Sequence, residues 1–258
     1  MDWDEGPDVG GPHGPYRQSE RYPHFREALA KLSASGRVYG CTCSRADLKR
    51  LASAPHAGEE GPIYPGICRA KDLAIDTSCE PDPKQRSAAL RFHVEPGTVC
   101  FDDLLAGRTC QDVAEQVGDF VVRRADGLYA YQLAVVVDDG AMGINQVVRG
   151  ADLLDSTPRQ IQLLEALGLP VPTYAHVPLV LNEAGERLAK RDQATSIRQL
   201  REAGVRPEAI VGVLGTSLGL LEASEPLTLA ELLPQFSWER LRREPWRADS
   251  AMLARLQA

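Results

Sequence analysis

A short basic segment in the second half of the chain is a candidate for phosphate chemistry. It follows the apolar run from His176 to Leu181 and a polar turn that contains Gly185, and it consists of Arg187, Leu188, Ala189, Lys190 and Arg191. A lysine on a loop just beyond a strand can reach a phosphate without being buried, and its charge would stabilise a triphosphate as it reacts. By itself the segment favours a solvated surface turn, because short motifs often match by chance.

Three cysteines and a tyrosine form a candidate metal site in the first third of the chain. Cys41 and Cys43 flank a single residue, and Tyr64 and Cys68 follow on the next stretch. Thiolates on short loops are strong zinc ligands, and zinc takes four donors in a tetrahedron. Tyr64 is an uncommon fourth ligand, so His56 is an alternative, and three ordinary reduced cysteines are the other interpretation.

A further group of polar side chains, between positions 129 and 152, could hold a small substrate. The planar guanidinium of Arg149 fits a carboxylate, and a tyrosine hydroxyl can orient a polar ligand. Arg149 is the last residue of a predicted strand, and open α/β sheets bind ligands at strand ends. The alternative is that Arg149 pairs with a neighbouring acidic residue. The group comprises Tyr129, Tyr131, Asp138, Asp139, Arg149 and Asp152.

The composition excludes several classes of protein. The chain has 258 residues, 25% of them charged, and a formal net charge of −7. This argues against broad non-specific nucleic-acid binding but not against a local basic patch. The sequence contains no apolar run of membrane-spanning length and no signal peptide, so we expect a cytoplasmic protein. Six cysteines are too few for a disulfide scaffold, and we expect them to be reduced, with Cys79, Cys100 and Cys110 structural.

Strand and helix signals alternate along the chain, which favours an α/β fold with helices on the faces of a sheet. The run Gln132–Asp139 is ambiguous between a buried strand and a buried helix. Ser156 and Gly168 are the predicted cap and end of a helix. The other predicted helices are 23–35, 198–203, 207–218 and 228–233, and the predicted strands are 89–94, 99–101, 120–123, 144–149 and 174–181.

Taken together, these segments resemble the glutamyl class I aminoacyl-tRNA synthetases. The resemblance is carried by Trp3-Asp-Glu-Gly-Pro-Asp-Val-Gly-Gly-Pro12, Tyr16-Arg-Gln-Ser-Glu-Arg21, Leu133-Ala-Val-Val-Val-Asp-Asp139, Val148-Arg-Gly-Ala-Asp152 and Thr157-Pro-Arg-Gln160. The segment 187–191, named here the signature loop, lies where that class has its Lys-Met-Ser-Lys-Ser type signature. Ala189 replaces a usual serine and Arg191 a polar residue. In this family the run around Leu133 is helical.

Within the family the chain is most similar to the short glutamyl-queuosine tRNA(Asp) synthetases. The stretch from Asp192 to Ala258 is too short for the helical anticodon-binding half of a full synthetase, and the cysteine group looks like the zinc site of these enzymes. The resemblance implies activation of glutamate with ATP and Mg²⁺, transfer to queuosine in the anticodon stem-loop of tRNA(Asp), and a monomer. It implies that Tyr131 and Arg149 bind glutamate and that Lys190 contacts ATP and is catalytic. It also implies Zn²⁺ at Cys41, Cys43, Tyr64 and Cys68.

The resemblance also predicts how the chain is divided. We expect a Rossmann-type catalytic core that is N-terminally incomplete (residues 1–40), a zinc-bearing insert (41–96), an acceptor-type insert with the second half of the core (97–197) and a short helical C-terminal part (198–258). The His-Ile-Gly-His type signature of the family is not in the sequence. We therefore expect these 258 residues alone to have little activity. The alternatives are a truncated glutamyl-tRNA synthetase and a non-catalytic fragment that binds glutamate or RNA.

Overall fold

The computed structural model describes residues 3–44, 46–48, 63–71, 73, 75–77, 87–182, 184–187 and 196–248. Its helices are α1 (Tyr22–Ala34), α2 (Val113–Gln116), α3 (Tyr131–Ala141), α4 (Thr157–Leu167), α5 (Ile197–Glu202), α6 (Pro207–Ser217) and α7 (Leu229–Leu232). Its strands are β1 (Val38–Cys41), β2 (Ala89–Phe92), β3 (Thr98–Asp103), β4 (Gly107–Asp112), β5 (Phe120–Arg123), β6 (Gln146–Gly150), β7 (Thr173–Val177), β8 (Val180–Leu181) and β9 (Trp246–Arg247).

The strands form three sheets, and the largest of them holds the candidate substrate site. Its order is β4-β3-β7-β6, in which β3 and β6 run parallel to β7 while β4 returns antiparallel to β3. The carboxyl ends of the three parallel strands therefore lie at one edge. A second sheet has the antiparallel order β1-β2-β5, and β8 pairs with β9. The predicted α/β class is confirmed.

The main core lies between α1, α3, α4 and the antiparallel sheet. Phe25, Leu29, Phe92, Leu133 and Leu163 are each at most 1% exposed within it. The ambiguous run Gln132–Asp139 is part of helix α3, because its apolar side chains pack into this core from one face. Helix α4 ends at Gly168 in the left-handed conformation, as its position predicts.

The glycine- and proline-rich segment before α1 is ordered by one buried arginine. Arg21 is 1% exposed, and its guanidinium donates to the carbonyl oxygens of His13 and Pro15 at 3.0 and 2.9 Å. The same side chain pairs with Asp138 on α3. Glu5 accepts hydrogen bonds from Tyr16 and His13 within the segment. These contacts join the start of the described chain to the helix that carries Tyr131.

Three local expectations from the sequence are wrong. Ser156 does not cap α4 with its side chain, because a 3-10 turn (Ala151–Ser156) runs directly into the helix. The strand predicted over 174–181 is two strands, β7 and β8, separated by Pro178, which has no N–H to donate. The cysteines are not all reduced, because Cys100 and Cys110 face each other across β3 and β4 and form a disulfide.

Within the described residues, no helix is long and apolar enough to cross a membrane. The predicted domain boundaries stay a prediction. The β1-β2-β5 sheet combines strands from three of the four predicted segments, so these segments share one hydrogen-bonded sheet.

Candidate active site and metal centre

Arg149 lies near the carboxyl end of β6, at the edge where the parallel strands end. Its Nε donates to Nε2 of His176 at 3.0 Å, and its Nη2 donates to Thr157 Oγ1 at 2.7 Å and to the Leu153 carbonyl at 3.4 Å. The guanidinium also lies 5.5 Å from the ring centroid of Tyr174. All of these partners are neutral acceptors or an aromatic face. Within the described part of the chain Arg149 forms no ion pair, so the alternative that it pairs with a neighbouring acid is not supported.

His176 is held in turn by a buried carboxylate. Its Nδ1 lies 2.6 Å from Oδ2 of Asp103, and both side chains have no exposed surface. Oδ1 of Asp103 accepts from the backbone N–H groups of Leu105, Ala106 and His176. Although burial opposes the charged carboxylate, these hydrogen bonds lower the pKa of Asp103. Burial lowers the pKa of His176, which therefore stays neutral.

A second acid, Asp139, interacts with the charge of the arginine. Burial raises the pKa of Asp139 to about 6, the charge of Arg149 opposes this shift, and Asp138 adds to it. Burial also raises the pKa of Tyr174 to about 12. Arg149 is thus accompanied by two acidic groups whose pKa values are raised by burial, and perturbed pKa values of this kind are common at functional sites.

Arg149 and Gln132, the neighbour of Tyr131, both contact the N-terminal end of α4. Tyr131 is the first residue of α3 and is 47% exposed. The next residue, Gln132, donates to Ser156 Oγ at 3.1 Å and accepts from Gln160 Nε2 at 2.8 Å. Arg149 bonds Thr157, the first residue of α4. Arg149 and the residue that follows Tyr131 thus both bond to the turn that leads into α4.

The signature loop is described only at its start. Arg187 forms an ion pair with Asp152 at 2.7 Å and a bridge with Leu181. Asp152 belongs to the segment that follows Arg149, so the base of the loop is attached to the candidate substrate site. A Cβ at Gly150 would lie 2.5 Å from Oδ1 of Asp152, so a side chain there would displace this carboxylate. Leu188, Ala189, Lys190 and Arg191 lie outside the described residues.

The sulfur atoms of Cys41, Cys43 and Cys68, named here the thiol cluster, all lie within 4.8 Å of one another. The hydroxyl of Tyr64 lies 3.5 Å from the Cys41 sulfur and 4.0 Å from the Cys43 sulfur, and the Cys43 and Cys68 sulfurs are 3.5 Å apart. Ligands at about 2.3 Å from a tetrahedral ion lie roughly 3.8 Å apart. The four atoms therefore have the spacing of a metal-ligand set. His56 lies outside the described residues.

The electrostatics of the thiol cluster differ from residue to residue. Burial opposes a thiolate at Cys68, yet hydrogen bonds from Tyr64 and from the Thr42 backbone lower the pKa of Cys68 to about 6. Burial and hydrogen bonds with the other two cysteines raise the pKa of Cys43 to about 11. Burial also raises the pKa of Tyr64. A cation bound among these groups would stabilise every one of their deprotonated forms.

The backbone around the thiol cluster is fitted closely to the rest of the chain. Tyr64 pairs with Gly118 in an isolated parallel bridge. Gly118 has a φ of +72°, and a Cβ there would lie 2.4 Å from the Tyr64 carbonyl oxygen. The guanidinium of Arg91 lies 3.9 Å from the centroid of the Tyr64 ring. The backbone of Tyr64 is thus held by Gly118 and its ring by Arg91, with the hydroxyl toward the sulfur atoms.

With this geometry described, comparison with known proteins identifies the family. Residues 1–255 match the family described as tRNA synthetases class I (E and Q), catalytic domain. The chain belongs to the class I tRNA synthetases. It is therefore a ligase by family, and the resemblance predicted from its sequence motifs is confirmed.

Relatives within this synthetase family include enzymes of two lengths. The chain is 52% identical over 257 residues to the glutamyl-Q tRNA(Asp) synthetase of Symbiobacterium thermophilum, covering 99% of this chain and 79% of that protein. The corresponding enzyme of Nitratidesulfovibrio vulgaris is 46% identical, with 100% and 79% covered. The glutamate–tRNA ligase of Heliobacterium modesticaldum is 40% identical over 247 residues, with 94% of this chain but 49% of that protein covered.

Solved synthetase structures share the fold. The glutamate-tRNA synthetase of Elizabethkingia anophelis superimposes with a TM-score of 0.77 at 22% identity, covering 98% of this chain and 56% of that chain. The glutamate tRNA ligase of Elizabethkingia meningosepticum, in complex with its amino acid, gives a TM-score of 0.77 at 23% identity with 55% of that chain covered. The chain thus spans just over half the length of these two proteins. The class I synthetase fold predicted from the sequence is confirmed.

The sequence motifs missed the buried part of the synthetase site. Asp103, Thr157 and His176 support Arg149, yet none was singled out as a site residue. For Asp103 and His176 the available signal was a polar residue in a predicted strand region, whereas Thr157 begins a helix. Such residues are recognised as a group when the structure shows which strand ends lie side by side.

Proposed function

We propose that this chain activates glutamate with ATP and transfers it to queuosine in the anticodon of tRNA(Asp). The similarity to glutamyl-Q tRNA(Asp) synthetases over 79% of their length supports this choice over glutamate–tRNA ligases, of which the chain covers about half. The structural observation that carries the proposal is the charge of Arg149. It is held by neutral partners at the carboxyl end of a parallel strand, so it remains available for the carboxylate of an amino acid.

Arg149 and Tyr131 would hold glutamate, and the signature loop would act on ATP. A glutamate carboxylate oxygen attacks the α-phosphorus of ATP, the bond to the bridging oxygen breaks, and pyrophosphate leaves. Lys190 would stabilise the charge that develops on pyrophosphate, and Mg²⁺ carried by ATP would neutralise part of it. The ion pair of Arg187 with Asp152 would keep the base of the loop beside the amino acid site.

The thiol cluster would hold one zinc ion through Cys41, Cys43, Cys68 and the hydroxyl of Tyr64. Three sulfur donors and one oxygen donor suit zinc, and the cluster is tied into the chain by Tyr64 and its neighbours. Zinc supplies local folding energy when it is bound, so its function here would be structural.

Exposed arginines in the C-terminal part would contact the phosphates of the anticodon stem-loop. Among the described residues, none of them forms an ion pair with Glu202, Glu239 or Glu244, so their charges are free to bind a polyanion on an otherwise acidic protein. This small set of contacts suits a stem-loop, and we infer that a cytoplasmic monomer is sufficient. The arginines are Arg198, Arg201, Arg206, Arg240, Arg242, Arg243 and Arg247.

Glutamate-dependent exchange of pyrophosphate into ATP, measured without tRNA in the full-length gene product, tests the activation step. Lys190→Ala should slow the exchange by about a hundredfold or more, the usual scale for one preorganised charge donor. Arg149→Ala should act mainly by raising the KM for glutamate. Lys71→Ala, on an exposed 3-10 turn, is the matched control and should change neither value. Exchange that does not depend on glutamate would contradict the proposal.

A further inference from the structure

A continuous line of hydrogen bonds runs from a buried carboxylate to the guanidinium of Arg149. Asp103 Oδ2 lies 2.6 Å from His176 Nδ1, and His176 Nε2 lies 3.0 Å from Arg149 Nε. The three residues lie at the carboxyl ends of the parallel strands β3, β7 and β6, as the last residue of β3 and the next-to-last residues of β7 and β6, and Arg149 and His176 are register partners. Asp103 and His176 are 5% and 3% exposed, so neither is accessible to a ligand.

The hydrogen-bond chemistry fixes one tautomer of His176. An arginine Nε–H can only donate, so Nε2 of His176 must be the unprotonated nitrogen that accepts. Nδ1 then carries the proton and donates to Asp103. Asp103 cannot turn its other oxygen toward the ring, because three backbone N–H groups bind Oδ1 at 2.8–3.2 Å. The carboxylate thus selects the tautomer that can hold Arg149.

We infer that Asp103 and His176 are positioning residues that fix the orientation of Arg149 and hence the affinity for the amino acid. The inference rests on the proposed function, in which Arg149 binds glutamate. Nε and Nη2 of Arg149 are both engaged by the chain, through His176 and Thr157. Within the described residues Nη1 has no hydrogen bond, so the guanidinium presents this end to a carboxylate.

Asp103→Asn separates positioning from packing because it changes one atom. The amide oxygen of the variant would stay on the three backbone donors, so its NH₂ group would face Nδ1 of His176. That contact favours the opposite tautomer, in which Nε2–H opposes the Arg149 Nε–H. We expect the KM for glutamate in pyrophosphate exchange to rise about tenfold to a hundredfold, the value of a hydrogen bond to a charged group. We expect kcat at saturating glutamate to change far less.

Two substitutions of His176 compare loss of the ring with loss of the hydrogen-bond acceptor. His176→Gln loses the ring but places an amide oxygen where Arg149 Nε can donate, whereas His176→Phe keeps a ring stacked on Tyr174 without an acceptor. If positioning is the function, the Gln variant retains more glutamate affinity than the Phe variant. If His176 serves packing alone, the Phe variant retains more, and that order would overturn the inference. Thermal unfolding of each variant identifies any that does not fold.

Nitrogen-15 NMR of the imidazole rings reads the tautomer independently of activity, and His176→Gln assigns the signal. Wild-type protein should show protonated Nδ1 and unprotonated Nε2 at His176, and Asp103→Asn should reverse them. A wild-type Nε2–H tautomer would overturn the inference, as would an unchanged glutamate KM in a folded Asp103→Asn variant. If the wild-type enzyme shows no glutamate-dependent exchange, it is the proposed function that fails. In that case the NMR result alone decides whether Asp103 sets the tautomer that holds Arg149.

Discussion

Asp119 and Arg69 form a two-point ion pair beside the thiol cluster, with Nε and Nη2 of the arginine each 2.6 Å from a carboxylate oxygen. Arg69 follows Cys68 directly in the chain, and Asp119 precedes strand β5. The carboxylate also accepts from the Tyr39 hydroxyl and from the Val94 N–H. These contacts lower the pKa of Asp119 although burial opposes its charge. One buried carboxylate therefore fastens the candidate metal centre to the antiparallel sheet.

Asp119→Asn should destabilise the chain because the NH₂ group of the amide would face hydrogen-bond donors that bind a carboxylate in the wild-type protein. We expect a loss of about 3 kcal/mol in the free energy of unfolding, measured by urea denaturation. Asp102→Asn is the matched control. Asp102 pairs with Arg108 on an exposed hairpin, where both side chains are more than half exposed, and should cost less than about 1 kcal/mol. Equal losses for the two variants would show that Asp119 is not a structural centre.

Protein purified without chelator should contain roughly one zinc ion per chain. Cys43→Ser should lose the metal and lower the stability of the surrounding segment, because structural zinc contributes folding energy. Cys79→Ser is the control. This variant should retain zinc at the thiol cluster, since Cys79 is not closely spaced with another cysteine in the sequence. Elemental analysis that finds no zinc in the wild-type protein would refute a zinc site.

The fourth zinc ligand is decided by two further variants. Because the Tyr64 hydroxyl lies among the sulfur atoms, Tyr64→Phe should weaken zinc binding, and His56→Ala should leave it unchanged. Competition with a coloured chelator measures both affinities. Zinc lost from His56→Ala but retained by Tyr64→Phe would assign the site to the histidine.

Asp139 should make stability depend on pH. Its pKa in the folded chain is about 6 because it is poorly solvated, whereas an unfolded aspartate titrates near about 3.9. The folded state therefore binds the extra proton between these values, and the free energy of unfolding falls as pH rises from about 4 to about 6. Asp139→Asn should flatten this part of the profile, and Asp8→Asn, at an exposed position, should not. Urea denaturation across this range compares the three proteins, and parallel wild-type and Asp139→Asn profiles would contradict the assignment.

The sequence predicted those features that depend on local pattern. Turn residues, helix ends and the short spacing of Cys41 and Cys43 can be read directly, and the structure brings Cys68 and Tyr64 to the same place. The sequence pattern could not decide the secondary structure of the run after Tyr131, because an apolar stretch of that length suits a buried strand or a buried helix equally. The partners of Arg149 come from strands far apart in the chain. Their proximity depends on sheet order, which the local pattern does not contain.

Transfer of radiolabelled glutamate by the full-length gene product is the most direct test of the central claim. The enzyme should label tRNA(Asp) that contains queuosine, and it should label neither unmodified tRNA(Asp) nor tRNA(Glu). If exposed arginines hold the acceptor mainly through phosphate contacts, as proposed, labelling should weaken steeply as salt is raised. Labelling of tRNA(Glu) at its 3′ end, at a rate equal to that of queuosine-containing tRNA(Asp), would contradict the claim and assign the chain to the glutamate–tRNA ligases.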